Sequence, residues 1–281
     1  MRVKINIRKS AAENANDYYE RAKKAKHKVA GAEKALKKTR REIEKLKEKR
    51  DGFMEEYAEK TYKKNVKRKE MWHEKFRWFF SSDNFLVVGG KDATSNEVLI
   101  KKHTNPEDLV FHADVHGAPF FVIKNPDKKE IPEKTREESA QAAASYSKAW
   151  KSGVGSVNVY CITHEQVSKT APSGEYLGKG AFMISGKRQW FRGVELKIGI
   201  GFKIENDEAE VIGGALDAVK KHSNYWIAIG VGGEKSAGLA RKIKEKIIKD
   251  AKKDDEEKIK KAGTDEIQKW IPAGKGQVLR V

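Results

Sequence analysis

A seam of small and apolar residues runs through the start of this chain: Ala11, Ala15, Tyr18, Ala22, Ala25, Val29, Ala32, Leu36, Thr39, Ile43, Leu46 and Phe53. They recur at alternating spacings of four and three, with Arg50 in the remaining slot and Lys and Glu on either side. A heptad pattern kept up over about six repeats predicts one long coiled-coil helix from about 10 to 53. Ser10 is placed to cap it, with Glu13 three residues on as its capping-box partner. Asp51-Gly52 is the best turn signal in the region. A second helix is expected over 54–79, with Tyr62, Val66, Trp72, Phe76 and Phe79 on its apolar side. The expectation is an antiparallel helical hairpin over residues 1–80. Its arms would measure roughly 60 Å and roughly 40 Å at 1.5 Å per residue. The longer arm overhangs, so its Ala- and Tyr-rich start must pack on something else, self-association included.

The same region carries most of the charge. Residues 1–80 hold 26 Lys and Arg against 13 Asp and Glu, which is +13 of the chain's net +18. A basic excess of that size points to polyanionic partners, nucleic acid first. The bland reading is a Lys-rich surface that serves solubility. The chain has one cysteine, Cys161, so neither an intrachain disulfide nor a thiolate zinc cluster can form. No apolar run approaches the roughly 20 residues needed to span a membrane. MRVKINIRKS lacks the apolar core of a signal peptide. These features predict a cytoplasmic protein without a membrane partner.

From Ser81 the pattern changes to that of an α+β protein. Strands are expected at Phe85–Val88, Leu109–Val115, Phe120–Lys124, Ser156–Ile162, Phe182–Ser185 and Leu196–Ile204. Asp92 is placed to cap a helix Ala93–His103, and Pro132 opens a longer one, Glu133–Lys151, ended by Gly153. Short Gly-containing loops favour an antiparallel or mixed sheet over a doubly wound one. This predicts one mixed sheet domain over 81–206 and a small C-terminal α+β unit over 207–281. The latter reads as strand Glu210–Ile212, helix Ala215–His222, strand Tyr225–Val231, helix Lys235–Lys252, a charged run Asp254–Lys261, a capped turn at Thr264 and a strand Gln277–Val281.

Within this domain, His112, Asp114 and His116 alternate with Phe111, Ala113 and Val115. In an extended chain the three polar side chains share a face. Four uses are open to them: holding a metal, moving a proton, contacting nucleic acid, or tying the strand to a neighbouring loop. A metal site needs further ligands and a second shell, and His164 is the sole attractive partner in the domain. A catalytic use needs a nucleophile or paired base that no motif supplies. The Gly-rich loop 167–180 is a second candidate, with Ser168, Lys169, Thr170 and Lys179 as phosphate donors, or else an ordinary connector. Lys187 and Arg188 extend the same basic face; Arg77, Lys91, Lys101 and Lys124 are further candidates. On the arm, Lys63, Lys64, Lys67 and Arg68 form a basic cluster. Gly230-Val231-Gly232-Gly233-Glu234-Lys235-Ser236 fails as a phosphate loop, because Glu234 stands where glycine must precede the lysine.

Four stretches carry a family resemblance: SAAENANDYYERAKK from Ser10, WHEKFRWFFSSDNFLVVGGKDA from Trp72, FHADVHGA from Phe111 and VSKTAPSGEYLGKGAFMI from Val167. Together, in this order, they resemble the NFACT family of NEMF-like ribosome quality-control factors, over residues 1 to about 206, with a tail similar to the archaeal branch. The matching parts are the middle coiled coil and the NFACT-R RNA-binding domain. The resemblance implies the C-terminal half of such a protein, without the family's N-terminal domain. It implies a non-enzymatic module, free of cofactors, that binds the obstructed large ribosomal subunit (rRNA and stalk-base proteins) and tRNA, and supports C-terminal tailing of stalled chains. The alternative is a scaffold whose coiled coil docks a protein partner.

Overall fold

In the computed structural model the backbone is described over residues 4–62, 71–170 and 177–279, and the side chains there except at 46 and 48–62. The chain divides into two compact units, Met1–Glu70 and Met71–Val281.

The first unit is dominated by a single helix, α1 (Ala11–Tyr62). Its start is fixed as the sequence predicts. Ser10 N–H donates to Glu13 Oε2 at 2.7 Å, and Glu13 N–H donates to Ser10 Oγ at 3.2 Å, which is a capping box. The residues before it fold back on the first turns, where Asn14 Nδ2 donates to the carbonyls of Asn6, Lys9 and Ser10. The expected hairpin turn is corrected: α1 runs on through Asp51-Gly52 without a break. Glycine inside a helix costs about 1 kcal/mol relative to alanine, and the flanking Lys, Glu and Arg residues are good helix formers that absorb it. Of the expected second helix, 54–62 belongs to α1, 63–70 lies outside the described residues, and 71–80 is not α-helical. The seam residues Val29, Leu36 and Ile43 are exposed.

The second unit opens with a one-turn 3₁₀ helix, Trp72–Lys75. An antiparallel six-stranded sheet follows, built from β1 (Arg77–Phe80), β2 (Leu86–Gly89), β3 (Leu109–Ala113), β4 (Phe120–Ile123), β5 (Ser156–Thr163) and a later edge strand. The short strands β6 (Val167–Ser168) and β7 (Met183–Ile184) pair with each other. The edge strand is β8 (Gln189–Glu195), and the order is β1-β2-β4-β3-β5-β8. Arg77, Trp78 and Phe79, expected at the end of a helix, are thus strand residues. Phe79 is buried while Phe80 is exposed, the alternation of a pleat rather than of a helix face.

Helices cover both faces. α2 (Ala93–His103) has the expected bounds; its cap Asp92 accepts from Ser95 N–H at 2.8 Å. With the 3₁₀ turn it encloses a core of Phe76, Val88, Leu99, Val110, Phe120, Val122, Tyr160 and Ile162. On the other face lies α3 (Glu133–Ser145), whose Ala140, Ala142, Ala143 and Ala144 are fully buried. The single helix expected to Lys151 is broken at Tyr146-Ser147. Ser147 caps a new short helix, α4 (Lys148–Ser152), by accepting from Ala149 N–H at 3.2 Å.

A second antiparallel sheet contains β9 (Lys197–Glu205), β10 (Glu208–Gly214), β11 (Tyr225–Lys235) and β12 (Lys275–Val278), in the order β10-β9-β11-β12. Its helices are α5 (Leu216–His222), α6 (Ser236–Asp250), α7 (Lys253–Lys261) and α8 (Thr264–Trp270). Residue 206, where the sequence suggests a boundary, is the tip of the β9–β10 hairpin. The main core runs without interruption from Phe79 and Phe111 through Ile198 and Phe202 to Ile243 and Ile267. Gly199 lets α5 close on β9, because a Cβ there would come within 2.7 Å of Val219. The rejected phosphate loop is the end of β11, where Glu234 lies 3.2 Å from Lys242 Nζ.

Candidate nucleic-acid interface

The folding of five separated stretches against one another leaves a cleft of about 590 Å³ in the second unit. Its walls are the start of β1, the loop before α2, the β3–β4 turn, the α3–α4 junction and the segment 179–184. Arg77, Lys91, Lys148, Lys151 and Lys179 line it, against one carboxylate, Asp92. Asp92 is already bound by Ser95 as the cap of α2.

Among the described residues none of these cations is held in an ion pair, although Asp92 attracts Lys91 and Lys179. Arg77 lies 4.7 Å over the ring of Tyr146, and its Nε is buried with no hydrogen-bond partner among the described residues. Burial, then the charges of Arg77 and Lys269, hold the Lys91 ammonium below its ordinary value. Such a site favours any ligand that brings negative charge and acceptor oxygens, as a phosphodiester does. Gly117 takes φ +71 at the cleft wall, and a Cβ there would meet Lys148 Nζ at 2.7 Å. The positive φ is what favours glycine here, since the flexible end of Lys148 could move aside from an added Cβ.

His112, Asp114 and His116 do not converge. β3 ends at Ala113, and the following turn carries Asp114 and His116 out to solvent. His112 stays on the sheet face, packed 4.6 Å from the Phe120 ring. Its Nε2 lies 3.1 Å from the carbonyl of Ala118 and its Nδ1 3.2 Å from the hydroxyl of Tyr160. A carbonyl can only accept, so Nε2 carries the proton and Nδ1 receives the Tyr160 O–H. Burial lowers the pKa of this imidazole to about 4, so at neutral pH it is uncharged. Among the described residues no three His, Cys, Asp or Glu side chains are grouped to hold a metal ion.

The remaining candidates divide. Arg77, Lys91, Lys179, His112 and His116 line the cleft. Arg188 lies 4.7 Å over the Tyr160 ring, while Lys187 is exposed and its carbonyl accepts from Gln166. Lys124 is bound elsewhere: it pairs with the buried carboxylate of Asp108 and donates to His103 O at 2.6 Å. Lys101 pairs with Glu97 at 2.7 Å on the surface of α2. Lys169 donates to the carbonyls of Gly178 and Ala181 at 2.9 and 3.0 Å, bracing its own loop. Ser168 Oγ accepts from Thr170 N–H at 3.0 Å. Lys63, Lys64, Lys67 and Arg68 lie outside the described residues. The sequence reading missed Lys148, Lys151, Tyr146 and Tyr160, since isolated lysines on a helix carry no local signal; Ser147, a capping residue, was the one sign that the helix stops beside them.

An NFACT protein RNA-binding domain matches residues 75–186, and the NFACT N-terminal and middle domains match residues 1–76. The chain belongs to the NFACT family. It is 40% identical over 256 residues to the archaeal Rqc2 homolog aRqcH of Methanocaldococcus jannaschii, a match over 91% of this chain and 38% of that protein. The ribosome quality control complex subunit NEMF homolog of Drosophila melanogaster is 42% identical over 74% of this chain and 21% of its own length. Human NEMF is 40% identical over 70% of this chain and 18% of its own length. The chain therefore spans well under half of these relatives. All three relatives bear the names of Rqc2 or NEMF factors, and the last two are named as ribosome quality control subunits.

Proposed function

We propose that this chain is the RNA- and ribosome-binding part of a ribosome-associated quality-control factor. In this reading it acts in the cytoplasm without catalysis, binding obstructed large ribosomal subunits and tRNA in support of tailing of the stalled chain. The observation that carries it is the cleft in which Arg77, Lys91, Lys148, Lys151 and Lys179 face a single, already bound carboxylate. Phosphates entering the cleft offset the burial and the repulsion from Arg77 that hold Lys91 low, and give Arg77 Nε an acceptor. The family match and the names of the relatives support the ribosomal setting.

The test is binding of tRNA and of isolated large subunits at rising salt, with crosslinks mapped on the two units separately. Release of counterions predicts a loss of roughly tenfold or more between about 50 and about 200 mM monovalent salt. Arg77→Ala and Lys91→Ala should weaken binding and flatten that dependence. A salt-independent affinity, or crosslinks that avoid the cleft, would count against the reading. A second reading has its own support: the exposed Val29, Leu36 and Ile43 on α1 suit a protein partner docked on the helix. Charge reversal at Lys63, Lys64, Lys67 and Arg68 separates the two, because a scaffold would lose its protein partner and keep RNA.

A further inference from the structure

A row of rings crosses the six-stranded sheet at one register level. Phe120 on β4 is opposite His112 on β3, His112 is opposite Tyr160 on β5, and Tyr160 is opposite Trp190 on β8. Their centroids are 4.6, 5.6 and 5.4 Å apart in succession, and Phe182 adds a T-shaped contact to Phe120 at 5.6 Å. The inner rings are covered, but the last is not: Trp190 is 38% exposed on the edge strand. Arg188 comes just before β8 and Arg192 lies on it two residues after Trp190, so a guanidinium group stands on either side of the indole along the chain. Arg188 lies over the Tyr160 ring at 4.7 Å, and Arg192 lies 5.9 Å from the Trp190 centroid.

We propose that this outer face of β8 is a stacking platform for single-stranded RNA, with one nucleobase on the Trp190 indole and the neighbouring phosphates on Arg188 and Arg192. The proposal deepens the RNA-binding reading and rests on it. Three observations favour nucleic acid over a protein partner as occupant. The exposed aromatic surface is a single ring rather than an apolar patch. Both charges that flank it are positive. The row also leads directly to the cationic cleft, because Phe120, His112, Tyr160 and Phe182 line both. A strand whose base stacks at Trp190 can thus continue its backbone toward Lys179 and Arg77. A duplex keeps its bases stacked inside and cannot use the indole, so the platform selects unpaired nucleotides.

The experiment compares a fluorescently labelled twelve-nucleotide single-stranded RNA with a blunt RNA duplex of the same length, by anisotropy, on the whole chain. Trp190→Ala should weaken the single strand about tenfold and leave the duplex within twofold. Trp190→Phe, which keeps a stacking face, should recover most of that loss. Arg188→Gln with Arg192→Gln, a surface change, should weaken the single strand even if Trp190→Ala misfolds. If the wild-type chain binds RNA and Arg77→Ala weakens it, while the Trp190 and Arg188/Arg192 variants bind single strands normally, the platform is wrong and the cleft reading stands. Equal losses for strand and duplex also overturn the platform. If the wild-type chain binds neither RNA, both readings fall together. Capture of a protein that the Trp190→Ala variant loses, with RNA affinity unchanged, would make the face a protein site instead.

Discussion

Lys124 and Asp108 form an ion pair that the fold has nearly closed off from water, with side-chain exposures of 12% and 0%. The carboxylate also accepts from the N–H groups of Asn105 and Asn125, both at 2.8 Å, and the ammonium from its side donates to the carbonyl of His103. The pair closes the loop after α2 onto the end of β4. Removing one partner strands a buried charge, so Asp108→Ala should destabilise the second unit by about 3–5 kcal/mol in urea unfolding. Lys124→Met should cost less than Asp108→Ala. Its effect should appear in stability and not in RNA affinity, although lysine at a strand end invites an RNA-binding reading.

The neutral His112 makes stability depend on pH. Its folded pKa, about 4, lies below the ordinary value of 6.5. Above pH 6.5 neither state holds the proton and nothing is lost. Between about 6.5 and about 4 the unfolded chain binds a proton that the native site refuses, so stability falls by up to about 1.4 kcal/mol per pH unit. His112→Gln should flatten that slope in melting temperatures taken from pH 7 to pH 4. An unchanged slope would mean that other groups set it.

Gly180 holds the 179–184 segment against α2. Its φ is +75, and an added Cβ would stand 2.7 Å from the Ala93 Cα and carbonyl oxygen. Its N–H donates to Glu97 Oε2 at 3.2 Å. Gly180→Ala should push the segment off the helix, moving Lys179 away from the cleft. RNA affinity should drop several-fold with a loss of stability on the order of 1–2 kcal/mol. Limited proteolysis should show earlier cleavage within 177–184.

Glu138 is a buried carboxylate whose burial pushes its pKa up, against bonds from the Ser82 hydroxyl and from Ser82 N–H at 2.9 Å. A raised carboxylate pKa means that the native state gains stability as pH falls through it. Glu138→Gln should therefore be tolerated at pH 7. Glu138→Ala should cost about 1–3 kcal/mol, because it leaves the Ser82 donors unpaired. Chemical denaturation of both variants at pH 7 checks the order.

The parts of this fold legible in the sequence are those fixed by neighbours along the chain. Asp92 with Ser95 and Ser10 with Glu13 announce two helix starts that the structure places there. Short apolar runs rich in β-branched and aromatic residues give β3, β4 and β5 to within a residue or two. The misreadings arise where one signal is outweighed by another or where no local signal exists. Gly52 is a turn residue on its own merits, yet strong helix formers on both sides carry α1 through it. Trp72, Phe76 and Phe79 are spaced as on a helix face, but pairing with β2 makes the end of that stretch a strand. β8 escapes notice because an edge strand with Gln189, Arg192 and Glu195 has little apolar alternation to read. The cleft is the least legible feature. Its cations come from positions 77, 91, 148, 151 and 179, and only the tertiary fold brings them together.

The core that passes unbroken across residue 206 has a consequence for how the chain is cut. The recognisable RNA-binding stretch stops at residue 186, but β8, which covers the outer edge of β5, begins at Gln189. Ile198, Ile200, Leu239 and Ile243 share one core with Phe111 and Trp150. A chain ended at residue 186 would show β5 as a bare edge and open that core to water, inviting strands from other molecules. The stretch that matches the RNA-binding domain family and the stretch that must fold as one piece have different ends.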